Sequence, residues 1–116
     1  MDPLDAYGRY ERAWNDPTGA AGLLADAWAD DGVYADDEVP EGLDRAGLVA
    51  FIQATHTDLP GFRVWATSTP RMLAGRMAVT WGAEGGDPPV PSSGTDVIEF
   101  DGSGRIIRVT DVLDLG

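Results

Sequence analysis

The sequence predicts an α+β domain whose N-terminal helices pack against a curved antiparallel sheet and enclose a small-molecule pocket. Apolar residues recur at three- and four-residue steps through the first half of the chain and alternate with polar ones through the second. Helices first and strands afterwards indicate a layered α+β fold rather than a βαβ repeat. The length of 116 residues fits one domain, and no internal repeat or low-complexity segment divides it.

The elements follow in order. Asp2 and Pro3 open a helix over about 3–15, the carboxylate as N-cap and proline at the first helical position, where its missing N–H costs nothing. Leu4, Tyr7, Tyr10 and Trp14 form its apolar stripe, and Asn15-Asp16-Pro17 ends it. Thr18 is the expected cap of a second helix, with Leu23, Leu24, Ala27 and Trp28 buried and Asp30-Asp31-Gly32 as terminator. Val33 and Tyr34 start a short strand running into the acidic loop Asp36-Asp37-Glu38-Val39-Pro40. Asp44 caps a third helix, whose inner face is Leu48, Phe51, Ile52 and Thr55 and which reaches about His56. Strands are expected at 62–69, 72–83, 94–100 and 105–114, with 84–93 a loop by its Gly, Pro and Ser content.

Asp101-Gly102-Ser103-Gly104 reads as a four-residue hairpin turn. Pairing Phe100 with Arg105 puts Ile98 opposite Ile107 and Asp96 opposite Val109. Period-two alternation then gathers Asp96, Ile98, Phe100, Ile107, Val109, Asp111 and Leu113 on one face, so two carboxylates sit on a mainly apolar surface. Lost hydration raises the pKa of such a carboxylate towards the range useful for proton transfer, which makes Asp96 and Asp111 the first candidate site residues. Arg76 is a candidate ion-pair partner for them.

Composition removes several function classes. Twenty acidic residues against eight arginines and no lysine give a net charge of -12, which repels phosphate backbones and anionic lipid, so neither nucleic acid nor membrane is an expected partner. No cysteine and a single histidine exclude disulfides, thiolate nucleophiles and Cys- or His-rich metal sites. No metal and no cofactor is expected. Neither a leader pattern nor an apolar run of the ~20 residues that a membrane helix needs is present, so the expected location is cytoplasmic.

Arg9-Tyr10 with Ala13-Trp14-Asn15, then Trp28-Ala29-Asp30-Asp31-Gly32-Val33, then Gly94-Thr95-Asp96-Val97-Ile98-Glu99-Phe100-Asp101 with Gly104-Arg105-Ile106, resemble the nuclear-transport-factor-2-like superfamily, in particular its SnoaL-like and ketosteroid-isomerase-like branch. The resemblance spans nearly the whole chain. It implies a cone-shaped, cystatin-like half-barrel of three helices and a curved sheet, often a homodimer. By the isomerase pattern, Tyr10 falls at the phenolic donor, Asp36 at the carboxylate base and Asp96 at the protonated acid of the oxyanion hole. Such an acid kept neutral beside a phenol holds an enolate oxygen, ketosteroid isomerase being the standard example. The chain has Asp37 where that motif continues with proline. Arg108-Val109-Thr110-Asp111 retains only the acid/base aspartate of the polyketide-cyclase pattern. By the epoxide-hydrolase pattern Arg76 is matched, but Ala78 stands at the second carboxylate.

The expected function is a cofactor-independent isomerase- or cyclase-type acid–base enzyme acting on a small apolar carbonyl or polyketide-like compound. Its catalytic residues are Asp96 and Tyr10 with Asp36 or Asp111, and Trp14, His56, Arg76, Ile98 and Val109 are expected around the pocket. The alternatives are a non-catalytic carrier of an apolar ligand and a dimeric interaction protein of the same fold.

Overall fold

A computed structural model of the protein describes residues 1–114. Helix α1 (Pro3–Asn15) is capped by Asp2, whose side chain accepts the Leu4 N–H at 2.8 Å. Its buried stripe is Ala6, Tyr10 and Ala13, flanked by half-buried Tyr7 and Trp14, whereas Leu4 is exposed. The second helix, α2 (Ala20–Ala27), starts at Gly19 with no side-chain cap, so Thr18 does not have the role expected of it. Asp16 closes this corner instead, its carboxylate accepting the Gly19 N–H at 2.9 Å.

Trp28 leaves the helix directly into β1 (Trp28–Ala35), so Asp30-Asp31-Gly32 lies within a strand and is not a terminator. The ladder is interrupted between Trp28 and Val33, which turns Asp30 and Asp31 to solvent. Gly32 is required there: a Cβ would stand 2.5 Å from Trp28 Nε1. Helix α3 (Arg45–Asp58) is capped by Asp44, which accepts the Gly47 N–H at 2.8 Å, and it buries Leu48 and Ile52.

The remaining strands are β2 (Arg63–Ala66), β3 (Arg71–Leu73), β4 (Arg76–Gly85), β5 (Val90–Phe100) and β6 (Ile106–Leu113). They form one mixed sheet in the order β1-β6-β5-β4-β2, with β3 also on β4. Every pairing is antiparallel except β1 on β6, which is parallel and departs from the all-antiparallel expectation. The segment expected as a loop at 84–93 is mostly ladder, Gly82–Gly85 pairing with Val90–Ser93 around a short turn. Because β6 ends at Leu113, opposite Gly94, that part of β5 has an open edge on which Pro91 is tolerated.

The three helices cover the inner face of the sheet. Tyr10 stacks on Trp28 at 6.1 Å, and Leu24, Leu48, Ile52, Met77, Ile98, Ile106 and Val109 complete a core without exposed surface. Each such aliphatic side chain stabilises the fold by about 1.5–3 kcal/mol. Among the described residues no helix is long and apolar enough to cross a membrane.

Candidate functional site

The β5–β6 hairpin decides the geometry of the site. Asp101 accepts the Ser103 and Arg105 N–H groups and the Ser103 hydroxyl, which fixes the turn and lowers its own pKa. Just beyond the turn Phe100 faces Ile106, whereas Glu99 faces Arg108, so Ile107 is an extra residue in the ladder. The register inferred from sequence is therefore corrected: Ile98 faces Val109, and Asp96 faces Asp111. Ile107 is displaced from the inner face and Ile106 takes its place. The bulge thus sets the two buried carboxyls, 8% and 7% exposed, against each other.

Their surroundings are unequal. Asp111 accepts the Trp81 indole N–H at 2.8 Å, and the Tyr34 hydroxyl stands 3.3 Å from its other oxygen. Among the described residues, Asp96 Oδ1 is buried with no hydrogen-bond partner. Burial pushes the Asp96 carboxyl well up, and the negative charge of Asp111 and the hydrogen bond to it push it further. Burial also raises Asp111, but hydrogen bonds from Asp96, Trp81 and Tyr34 work against that rise. The proton of the pair therefore belongs on Asp96 and the charge on Asp111.

Tyr10, 3% exposed on α1, shares a cavity with both carboxyls. Its phenol stays protonated because burial, then the neighbouring carboxyl pair, raises its pKa. The cavity holds about 70 Å³ and is walled further by Trp14, Tyr34, Phe62, Val64 and Trp81. It adjoins a wider vestibule of about 380 Å³, whose wall includes Asp36, Glu38, Phe51, Asp58 and Asp111. Since drug-sized ligands occupy pockets of ~300–1,000 Å³, only one end of such a molecule fits inside the inner chamber.

The other expected site residues are dispersed around this centre. Trp14 lines both spaces. Asp36 lines only the vestibule, accepting the Tyr34 hydroxyl at 2.7 Å and the Glu38 and Val39 N–H groups. His56 donates from Nε2 to the Trp14 carbonyl at 2.7 Å and meets Phe62 edge-on, so it holds the wall without lining it. Ile98 and Val109 are fully buried one step along the strands from the carboxyl pair and form its apolar floor. Arg76 is placed elsewhere: it is exposed on the outer face, opposite Glu99 in the ladder, and touches neither carboxyl. Alternation along β4 sends Met77 and Val79 inward, which leaves Arg76 outward.

Two donors were not singled out from the sequence. Tyr34 on β1 lies two residues before Asp36, which follows the last strand residue Ala35, and its hydroxyl reaches that carboxylate. Trp81 pairs with Gly94, and the indole lies where a Gly94 Cβ would stand 2.7 Å from its Cζ2, so the missing side chain lets the ring reach Asp111. Among the described residues no group of three or more His, Cys, Asp or Glu is arranged to hold a metal.

Three helices over a curved mixed sheet, with a carboxyl pair and tyrosines in the hollow, define a cone-shaped α+β fold. The fold is that of the nuclear-transport-factor-2-like superfamily, with SnoaL-like and ketosteroid-isomerase-like proteins among the solved structures it matches. A protein from Agrobacterium tumefaciens, assigned to the SnoaL-like family as an isomerase, superposes with a TM-score of 0.81 at 27% identity over 96% of each chain. A protein of ketosteroid-isomerase-like fold from Catenulispora acidiphila, in complex with trimethylamine, gives 0.77 at 16% identity over 99% of this chain and 88% of the other. A protein from Jannaschia sp., assigned as a SnoaL-like polyketide cyclase, gives 0.76 at 10% identity over 97% and 87%. No protein-family model matches the sequence, and no curated protein matches it significantly.

Proposed function

We propose that the protein is a cofactor-independent acid–base enzyme of the isomerase or cyclase type, acting on a small, largely apolar carbonyl compound. The observation that carries this reading is the cross-strand Asp96–Asp111 pair, buried beside the Tyr10 phenol in a chamber open to a vestibule. The substrate oxygen accepts from Tyr10, beside the Asp96 carboxyl that lines the same chamber. Asp111 takes a proton from the carbon next to the carbonyl, and the C–H electron pair moves onto that oxygen as an enolate. Once Asp111 is neutral it no longer attracts the Asp96 proton, which turns to the enolate oxygen. Return of the proton to a carbon completes an isomerisation or ring closure. Asp36 takes no proton in this scheme: it accepts the Tyr34 hydroxyl at the chamber wall, while the Trp81 indole N–H helps keep Asp111 ionised before reaction.

The isomerase and cyclase assignments among proteins of this fold support the reading at the level of reaction type. The trimethylamine complex of a third supports a pocket for compact ligands. Exchange of α-hydrogens of cyclopentanone in D2O, followed by NMR, tests the proposal. The wild type should accelerate exchange, and Asp111→Asn and Tyr10→Phe should each lose on the order of 10²-fold or more. Exchange no faster than with an equal concentration of acetate would refute the enzymatic reading. Saturable ligand binding without exchange would leave the carrier alternative standing.

A further inference from the structure

The electrostatics of the pocket narrow the substrate class. No arginine or histidine lines the inner chamber or the vestibule among the described residues, and the chain contains no lysine. Four carboxyl groups, Asp36, Glu38, Asp58 and Asp111, line the vestibule among the rings of Trp14, Tyr34, Phe51, Phe62 and Trp81. The rings lie edge to face or tilted, with Trp14 5.8–6.2 Å from Tyr34, Phe51 and Phe62. Carboxylates with ring faces attract a cation and disfavour any group that becomes negative. Forming the enolate moves the negative charge from Asp111 onto the oxygen at Tyr10 and Asp96, and no protein cation lining the pocket balances it in either place.

The inner chamber supplies an independent sign of a ligand. Asp96 is 8% exposed, lines that chamber and has an oxygen, Oδ1, with no partner. Of the two spaces, the chamber of about 70 Å³ suits the reacting carbonyl end, and the acidic, aromatic vestibule of about 380 Å³ suits what the carbonyl is attached to.

We propose that the substrate is a carbonyl compound carrying an alkylated ammonium group, its carbonyl at Tyr10 and Asp96 and its cation in the vestibule between the aromatic rings and Asp36, Glu38 and Asp58. The cation compensates the charge that develops on the oxygen, so the ligand supplies what the protein lacks. It also sets polarity: the carbonyl enters first, because the inner chamber has the hydrogen-bond donors and the vestibule has the charge.

This inference rests on the reading of the pocket as the site of the acid–base reaction, and its test is separate from the exchange assay. Tetramethylammonium chloride and tert-butanol, of similar bulk but different charge, are titrated into the full-length protein while the indole NMR signals of Trp14 and Trp81 are followed. Tetramethylammonium should bind saturably and at least ten-fold more tightly than tert-butanol, more weakly as salt is added. The double variant Glu38→Gln, Asp58→Asn alters two exposed side chains and should weaken the cation at least three-fold while leaving tert-butanol unchanged. Equal affinity for the two probes, or cation binding insensitive to the double variant, overturns the inference and leaves the proposed reaction to the ketone exchange result. Failure of both probes to move either indole overturns it as well. Loss of exchange with the cation preference intact instead overturns the enzymatic reading alone.

Discussion

Replacing Asp96 by Asn isolates the cost of burying this carboxyl. The native protein holds the Asp96 proton because burial, Asp111 and the hydrogen bond between them raise its pKa, whereas the unfolded chain releases it above ~3.9. Between those two pKa values the native state binds more protons, so stability is full at acid pH and falls as pH rises through the window. The loss from this group is about 1.4 kcal/mol per pH unit, or about 5 °C in Tm for a domain of this size. Asp111 on β6 acts on Asp96; the Asp96 carboxyl in turn faces Tyr7 and Tyr10 of α1, and Tyr34, Trp81 and Asp36 act on Asp111. Asparagine keeps a donor for Asp111 and has no proton to release. Chemical denaturation of both proteins from pH 4 to 8 should therefore show the stability difference moving in favour of Asp96→Asn at up to that slope as pH rises. Parallel curves would refute the claim that Asp96 is held neutral.

The remaining predictions address the walls of the site. Trp81→Phe removes the N–H that Asp111 accepts and should cost about 1.5–3 kcal/mol in denaturation, with the Asp111 pKa rising further by carboxyl NMR. Gly94→Ala places a Cβ 2.5 Å from the Val112 carbonyl and 2.7 Å from the Trp81 ring. Backbone cannot yield there cheaply, so a loss of about 1–3 kcal/mol and a shifted Trp81 indole signal are expected. Arg76→Ala should leave stability within about 0.5 kcal/mol and ligand affinity unchanged, since Arg76 is exposed on the outer face.

Local chemistry made the helices and the hairpin turn legible. Asp2 with Pro3, and Asp44, cap α1 and α3 as their spacing indicates, because a cap needs only neighbouring residues. Where one side chain can stand in for another a turn away, sequence does not decide between them: Asp16 closes the corner before α2 in place of Thr18. Gly and Pro concentrated at 84–93 resemble a loop, yet the tertiary ladder with β4 carries that segment as strand. Alternation alone placed Asp96 and Asp111 on the inner face. Their direct opposition depends on one extra residue, Ile107, which no periodicity reveals. Tyr34 was legible as a strand residue but not as a donor, because its partner Asp111 is 77 positions away. Arg76 illustrates the reverse case: a motif match suggested a partner for the carboxyls, and the pleat of β4 turned it to the other face.

Whether one proton resides on the Asp96–Asp111 pair, and on Asp96, is measured by carbon-13 NMR of the side-chain carboxyls, assigned with Asp96→Asn and Asp111→Asn. Asp96 should be protonated at neutral pH and titrate well above ~3.9, with Asp111 ionised before it. Two ionised carboxylates at pH 7, with Asp96 titrating near ~3.9, would contradict it.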